Sequence, residues 1–236
     1  ILGGLTSSVC AKPIVINIGG SQPEGHYLVQ YVYKSWCDEL AERTNNEVQC
    51  KWYHANSLIG FKENVEALKK GLVDMVECMG FFYHESQYVA TAALHLPFLY
   101  TSTAQADKVY QEAYETIPEI RDEHKGIKML GFHMSDLTNF HWRRGLKPVT
   151  SEADLKGRVV MSNNKVSLEI IKRLGASPRL LDVNDMYMAL QRKSIDGVLF
   201  PTGPLAAGFK LDEVTDNHTL VFMSNLTIAG GMNQEF

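Results

Sequence analysis

A strand–helix rhythm that runs twice constrains this chain more than any other feature. "KPIVINIGG" from Lys12 is a β-branched run ending in glycines, and "HYLVQYVYKSWCDELAERTNN" follows it. Leu28, Val32, Trp36 and Leu40 recur every four residues, which puts them on one helical face. "EVQCKWY" alternates as a strand, "GFKENVEALKKG" reads as an amphipathic helix stopped by Gly71, and "LVDMVECM" reads as a third strand. A β-α-β-α-β order implies a parallel sheet with right-handed crossovers. After a helical stretch and the strand "GIKMLGFHM", the segment "FHWRRGLKPVTSEADLKG" reads as turn-rich and irregular. The rhythm then returns: "GRVVM", "KVSLEIIKRLGASP", "RLLDV", "NDMYMALQRKS" and "IDGVLF" form a second β-α-β-α-β set.

The fold class is therefore α/β, with two lobes, a cleft where the strand tips face each other, and a multi-strand hinge. Residues 12–134 with 216–236 make lobe I, and 135–215 make lobe II. The first crossing falls near Phe132 to Ser135. The second is expected over Gly203 to Thr215, with "TLVFMSNLTIAGGM" returning as a strand. Two crossings make a hinge that closes over a ligand. Residues 1–11, "ILGGLTSSVCA", resemble the end of a secretory signal cut after Ala11, which points to an exported, periplasmic protein.

Composition narrows the partners. The net charge is -4 and no block of like charge stands out, so a nucleic-acid partner has no electrostatic support. No apolar run reaches transmembrane length. Cys10, Cys37, Cys50 and Cys78 show no metal-ligand spacing. Cys37 to Cys50 is one conceivable bridge in an exported protein, although a buried free thiol is the favoured reading for each.

Catalytic motifs are missing from the chain. "IGGSQPEG" has its glycines at the wrong intervals for a dinucleotide cradle, and no P-loop, H-E-x-x-H or G-x-S-x-G occurs. The eight histidines are scattered. Asp74 and Asp196 sit beside turns, where carboxylates are usually structural. Binding is favoured over catalysis, with no cofactor and no metal.

Five stretches in order resemble the substrate-binding proteins of TRAP transporters, the tripartite ATP-independent periplasmic type (DctP-like family). They are "NSLIGFKENVEALKKGLVDM", "LPFLY", "KPVTSEADLKGRVV", "LGASPRLLDVNDMYMALQRKSIDG" and Pro201. The resemblance implies a non-enzymatic, mostly monomeric protein that captures a small organic acid and hands it to a membrane permease. It also implies C-terminal helices, which this chain stops short of.

The resemblance further implies a clamp arginine at the strand tip after "DLKG", pairing bidentately with the ligand carboxylate. That position is Met161. Two other polar clamp positions correspond to His141 and Phe200. A ligand less charged or more aromatic than a C4 dicarboxylate is expected, because methionine and phenylalanine offer contact rather than charge pairing.

Arg143, Arg144, Lys165 and His141 are the candidate substitute cations. Asn163 and Asn164 are expected to cap a helix whose backbone N–H groups face the cleft. Ser21, Gln22 and His26 after the first strand, Phe81 and Phe82 after the third, and Tyr187 complete the expected pocket. A ligand sensor or a scaffold on the same fold stays open from sequence. An enzyme would need a nucleophile–base pair that no motif supplies.

Overall fold

The computed structural model describes residues 12–81 and 86–236. They form two five-stranded sheets with helices packed on them. The first sheet has the order β2-β1-β3-β10-β4 and the second β7-β6-β8-β5-β9.

In lobe I, β1 (Ile14–Gly19) pairs in parallel with β2 (Val48–Tyr53) and β3 (Met75–Met79). The helix between β1 and β2 begins with a π-helical turn at Val29–Tyr33 and continues as α1 (Lys34–Arg43). Its buried stripe is Val29, Tyr33 and Cys37, one residue on from the expected Leu28–Val32–Trp36–Leu40 face; Val32 is exposed. Cys37 and Cys50 form a disulfide that ties α1 to β2, correcting the reading of free thiols at both positions. Cys78 is a free, buried thiol. Asn45 and Asn46 end the helix with positive φ, which asparagine tolerates.

Next come α2 (Asn64–Lys69), the short α3 (Val89–Ala92), α4 (Thr103–Thr116), α5 (Pro118–Glu123) and β4 (Ile127–Met134). Ser102 caps α4 by accepting from the Gln105 N–H, and Pro118 opens α5 where no N–H is needed.

Lobe II starts with β5 (Thr138–Arg143), a buried central strand in the segment expected to be irregular. Its polar residues hide the strand pattern because they are satisfied internally. Asn139 Oδ1 accepts from the Val221 and Phe222 N–H groups, and its Nδ2 donates to Thr202 Oγ1. The parallel set follows: β6 (Val159–Ser162), α6 (Lys165–Arg173), β7 (Ser177–Leu180), α7 (Met186–Gln191), β8 (Gly197–Pro201) and α8 (Gly203–Ala207). β7 is an exposed edge strand set earlier than the expected "RLLDV".

The second crossing differs from the expectation. Thr215–Thr219 is β9, antiparallel to β5 in the second sheet, so these residues belong to lobe II. The chain returns through 220–226 and inserts β10 (Thr227–Asn233) between β3 and β4. The two crossings run side by side. Thr138 N–H donates to Ser224 O at 2.8 Å, Met223 N–H to Thr138 O at 3.1 Å, and Ser135 N–H to Leu226 O at 3.0 Å. This hinge is a two-stranded strap in which each crossing limits the other's torsion.

One apolar cluster joins the lobes. Phe61 and Cys78 of lobe I, with Leu226 of the strap, pack with Met161, Val183, Val198 and Phe200 of lobe II. Burying each such large side chain contributes about 1.5–3 kcal/mol.

Candidate ligand-binding site

A cavity of about 180 Å³ opens between the lobes at the hinge. Lobe I supplies Gln22, His26, Tyr27, Leu28, Phe61, Cys78, Thr103 and His133; the strap supplies Ser135, Asp136 and Leu226; lobe II supplies Asn163, Val183, Phe200, Pro201, Pro204 and Phe209. An apolar cavity of about 150 Å³ is enough to take benzene, so this one has room for a single ring.

Lobe I's side of the site hangs on one carboxylate. Glu77 on β3 is fully buried; its Oε1 accepts from the Ser21 N–H at 2.8 Å and the Gln22 N–H at 3.1 Å, and its Oε2 from the Cys78 N–H at 3.1 Å. These bonds tie the loop after β1 to the tip of β3 and bring Gln22 beside Cys78, whose Sγ receives Gln22 Nε2 at 3.6 Å. Burial raises Glu77 to about 7, opposed by the backbone donors that favour its charged form. On the strap, Asp136 Oδ2 accepts from the Gly203 N–H at 2.6 Å and fixes the start of α8.

Among the described residues the lining carries neither arginine nor lysine. Burial lowers His26 and His133 to about 4, so both rings are neutral at neutral pH. Burial, and then the adjacent Glu77, push the Cys78 thiol far above its ordinary range. Two of the lining residues carry a polar atom that is sealed from water without a partner: Gln22 Oε1 and His133 Nε2.

The residues expected at the site separate into three groups. Gln22, His26, Asn163 and Phe200 line the cavity. Met161 and Ser21 lie one layer behind it. Met161 is fully buried in the inter-lobe cluster with Val183 and Phe200, and Ser21 bonds Glu77 while its carbonyl accepts from Asn184 Nδ2 across the lobes at 3.4 Å.

The remaining residues are turned to other tasks. His141 donates from Nε2 to Phe200 O at 3.0 Å, which leaves Nδ1 to accept from His218 Nδ1 at 2.9 Å. Arg143 pairs with Asp196 at 3.3 Å, and Arg144 donates to Asp212 O. Asn164 caps α6 through the Ser167 N–H at 2.8 Å, and Lys165 at the start of that helix is exposed and off the lining. Tyr187 donates to Glu213 Oε2 at 2.9 Å. Phe81 packs into lobe I against Tyr88 and His124, and Phe82 lies outside the described residues.

Sequence reasoning did not single out His133, Cys78, Phe61, Asp136 or Phe209. The strand-tip rule that selected Gln22 also covers Cys78 and His133, which sit near the ends of β3 and β4. Phe61 and Phe209 lie in loops whose approach depends on how the lobes meet.

Two α/β lobes on a two-strand hinge, enclosing a cavity at the seam, define a hinged binding protein. The chain belongs to bacterial extracellular solute-binding protein family 7 (DctP), whose profile matches residues 18–233. It is 27% identical to the 2,3-diketo-L-gulonate-binding periplasmic protein YiaO of Escherichia coli, over 83% of this chain and 58% of that protein. It is 26% identical to the C4-dicarboxylate-binding periplasmic protein DctP of Rhodobacter capsulatus, over 98% of this chain and 68% of that protein. The chain thus spans about 58% of the length of the first of these relatives.

Among solved structures, a marine metagenome TRAP solute binding protein specific for aromatic acid ligands, with 3-hydroxybenzoate, superposes with a TM-score of 0.84 at 24% identity, covering 95% of this chain and 70% of that one. A TRAP solute binding protein from Rhodoferax ferrireducens, with copurified benzoate, gives 0.81 at 22% identity, covering 94% and 69%. Among the described residues no helix is long and apolar enough to cross a membrane.

Proposed function

We propose that this protein is an extracytoplasmic solute-binding component that captures a small, single-ring organic acid between its lobes. It delivers the ligand, as a periplasmic monomer, to the membrane permease of a TRAP-type transporter. The observation that carries the ligand class is the cavity lining, which is ring-sized, bears Phe61, Phe200 and Phe209, and contains no arginine or lysine among the described residues. A dicarboxylate would bury two charges there with no Arg or Lys in the described lining to pair them and with the Asp136 carboxylate in the wall, and an unpaired buried charge is costly. A ring with one acidic group buries its apolar face and keeps one polar end to satisfy. The names of the two superposable structures, with their aromatic acids, support the same class.

A thermal-shift screen of small acids tests this reading. A ligand at about 100 times its Kd stabilises the protein by about 2.7 kcal/mol, a shift of several degrees. Benzoate-sized aromatic acids are expected to raise the unfolding midpoint, and succinate and malate to leave it unchanged. Stabilisation by the C4 dicarboxylates alone would overturn the aromatic assignment.

A further inference from the structure

A polar contact joins the two lobes on the side of the cleft away from the strap. The crossings connect β4 to β5 and β9 to β10, at one side of each sheet, which leaves β2 and β7 as the opposite edges. The tips of these two edge strands meet. Asn56, just past β2, donates from Nδ2 to both carboxylate oxygens of Asp182, just past β7, at 3.4 Å each. Asn184 Nδ2 donates back across the seam to Ser21 O at 3.4 Å. A carboxylate can only accept, so the Asn56 amide must present its nitrogen to it.

Each side of the contact is fixed from within its own lobe. Ala55 and Asn56 both hold left-handed backbone, at φ 50° and 61°, which alanine adopts only where its surroundings impose it. Here the Ala55 N–H donates to Gln22 O at 3.0 Å and the Asn56 N–H to Gly20 O at 2.9 Å. Asp182 is held by its own loop, since its Oδ1 accepts from the Asn184 N–H at 2.9 Å and from Asn184 Nδ2 at 3.1 Å. Gln22 and Val183, the chain neighbours of Ser21 and Asp182, line the cavity, whereas Asn56, Asp182 and Asn184 do not. The crossing bonds are longer than the strongest N–H···O bonds, so an approach of the lobes by about half an ångström would tighten all three together.

We infer that Asn56, Asp182 and Asn184 form a latch that sets how firmly the lobes stay closed, and thereby the affinity for any ligand, without touching the ligand themselves. This rests on the reading of the protein as a hinged solute binder and is independent of the class of acid. Strap and latch stand at opposite edges of the sheets with the cavity between them, so opening about the strap breaks the latch early and closing makes it late. Apparent affinity falls with the population of the closed, binding-competent form. A weaker latch therefore raises the Kd of every ligand by one factor, whereas a lost ligand contact discriminates among ligands.

Asn56→Gly removes the amide and keeps a residue at home in left-handed backbone. Asn56→Asp sets a second carboxylate against Asp182. Titration calorimetry with benzoate and phenylacetate should show both Kd values raised about fivefold by Asn56→Gly and about tenfold or more by Asn56→Asp, with the same factor for the two acids. Small-angle scattering should give both unliganded variants a larger radius of gyration than the unmodified protein. Asp182→Ser keeps a capping oxygen for the Asn184 N–H, and adding Asn56→Gly to it should weaken binding no further.

The unfolding midpoint of unliganded Asn56→Gly should hold, whereas a fold defect would lower it. Unchanged Kd values overturn the latch, and so does a change for one acid alone, which would mark Asn56 as a ligand contact. Additive losses in the double variant overturn the pairing of Asn56 with Asp182. If neither acid binds the unmodified protein, the single-ring reading fails and scattering decides the latch: a larger radius in the variants upholds it, and an equal radius overturns it.

Discussion

Gly208 of lobe II stands directly against the His26 ring of lobe I. A Cβ built on Gly208 would lie 2.3 Å from His26 Cδ2 and 2.9 Å from Pro204 O. The neighbouring Phe209 ring meets His26 edge-on at 5.5 Å. The lobes approach this closely only because residue 208 has no side chain.

Gly208→Ala should therefore wedge the lobes apart. We expect a lower affinity for any aromatic acid that binds the unmodified protein, by about tenfold or more, since overpacking costs about 1–3 kcal/mol. Small-angle scattering should show a larger radius of gyration with ligand present. An unchanged affinity and radius would mean that the His26 ring swings aside at no cost.

Glu77 gives the protein an unusual pH dependence. Its folded value of about 7 lies above the ordinary 4.5, so the folded state holds a proton that the unfolded state releases between those values. Stability from this group is full below about pH 4.5 and is lost as pH rises to about 7. The buried histidines act in the opposite sense. His26, His95, His133 and His141 sit at about 4, below the ordinary 6.5, so their contribution is present above pH 6.5 and is lost as pH falls towards 4. Glu77→Gln leaves the histidine part and removes the other. The variant's unfolding free energy should gain on the unmodified protein's by about 3 kcal/mol between pH 4.5 and 7. Denaturant unfolding at five pH values measures the difference, and a flat difference would place the Glu77 titration elsewhere.

Met161→Arg restores the residue type that the family resemblance implies, yet the structure has no partner waiting for it. The position is fully buried among apolar side chains behind the cavity wall. The variant should lose about 3–5 kcal/mol of stability, as expected for an uncompensated buried charge. Full stability together with new succinate binding would show that the longer side chain threads into the cavity.

The Cys37–Cys50 bridge closes a short loop between α1 and β2, with 13 residues of sequence separation. A loop of about 15 residues gives about 3 kcal/mol in the chain-entropy account. Replacing both cysteines with serine should lower the unfolding midpoint by about 6–12 °C in a chain of this size. Ligand affinity should hold, since neither cysteine lines the cavity. A loss of affinity would mean that α1 transmits strain to the loop carrying His26.

Hydrophobic period and glycine punctuation made β1, β2, β3, β6 and β8 legible, because each is a short apolar or β-branched run. β9, "TDNHT", was not, since it is polar throughout and is a strand only because β5 offers it a partner. β5 was hidden for the related reason that Asn139 and His141 spend their polarity on tertiary bonds. In the site, Gln22, His26 and Asn163 follow from strand ends, and Phe200 from the family resemblance. Met161 sits at a strand tip as well, but its side chain turns into the seam rather than the cavity, and no local pattern encodes that choice. His133 was invisible because no local pattern says that this end of β4 meets the seam between the lobes.

The central placement of β10 has a consequence for the order in which the molecule can assemble. Every strand of the second sheet comes from one unbroken stretch, residues 138–219, whereas the first sheet lacks a middle strand until residues 227–233 have been made. A chain emerging from its N-terminus therefore displays β3 and β4 with open edges throughout the synthesis of lobe II. The half that emerges first is the half that is finished last, and the long-range pairing it awaits is of the kind that slows folding. Such a polypeptide stays threadable until β10 has been made, and that strand acts as the latch that ends the interval.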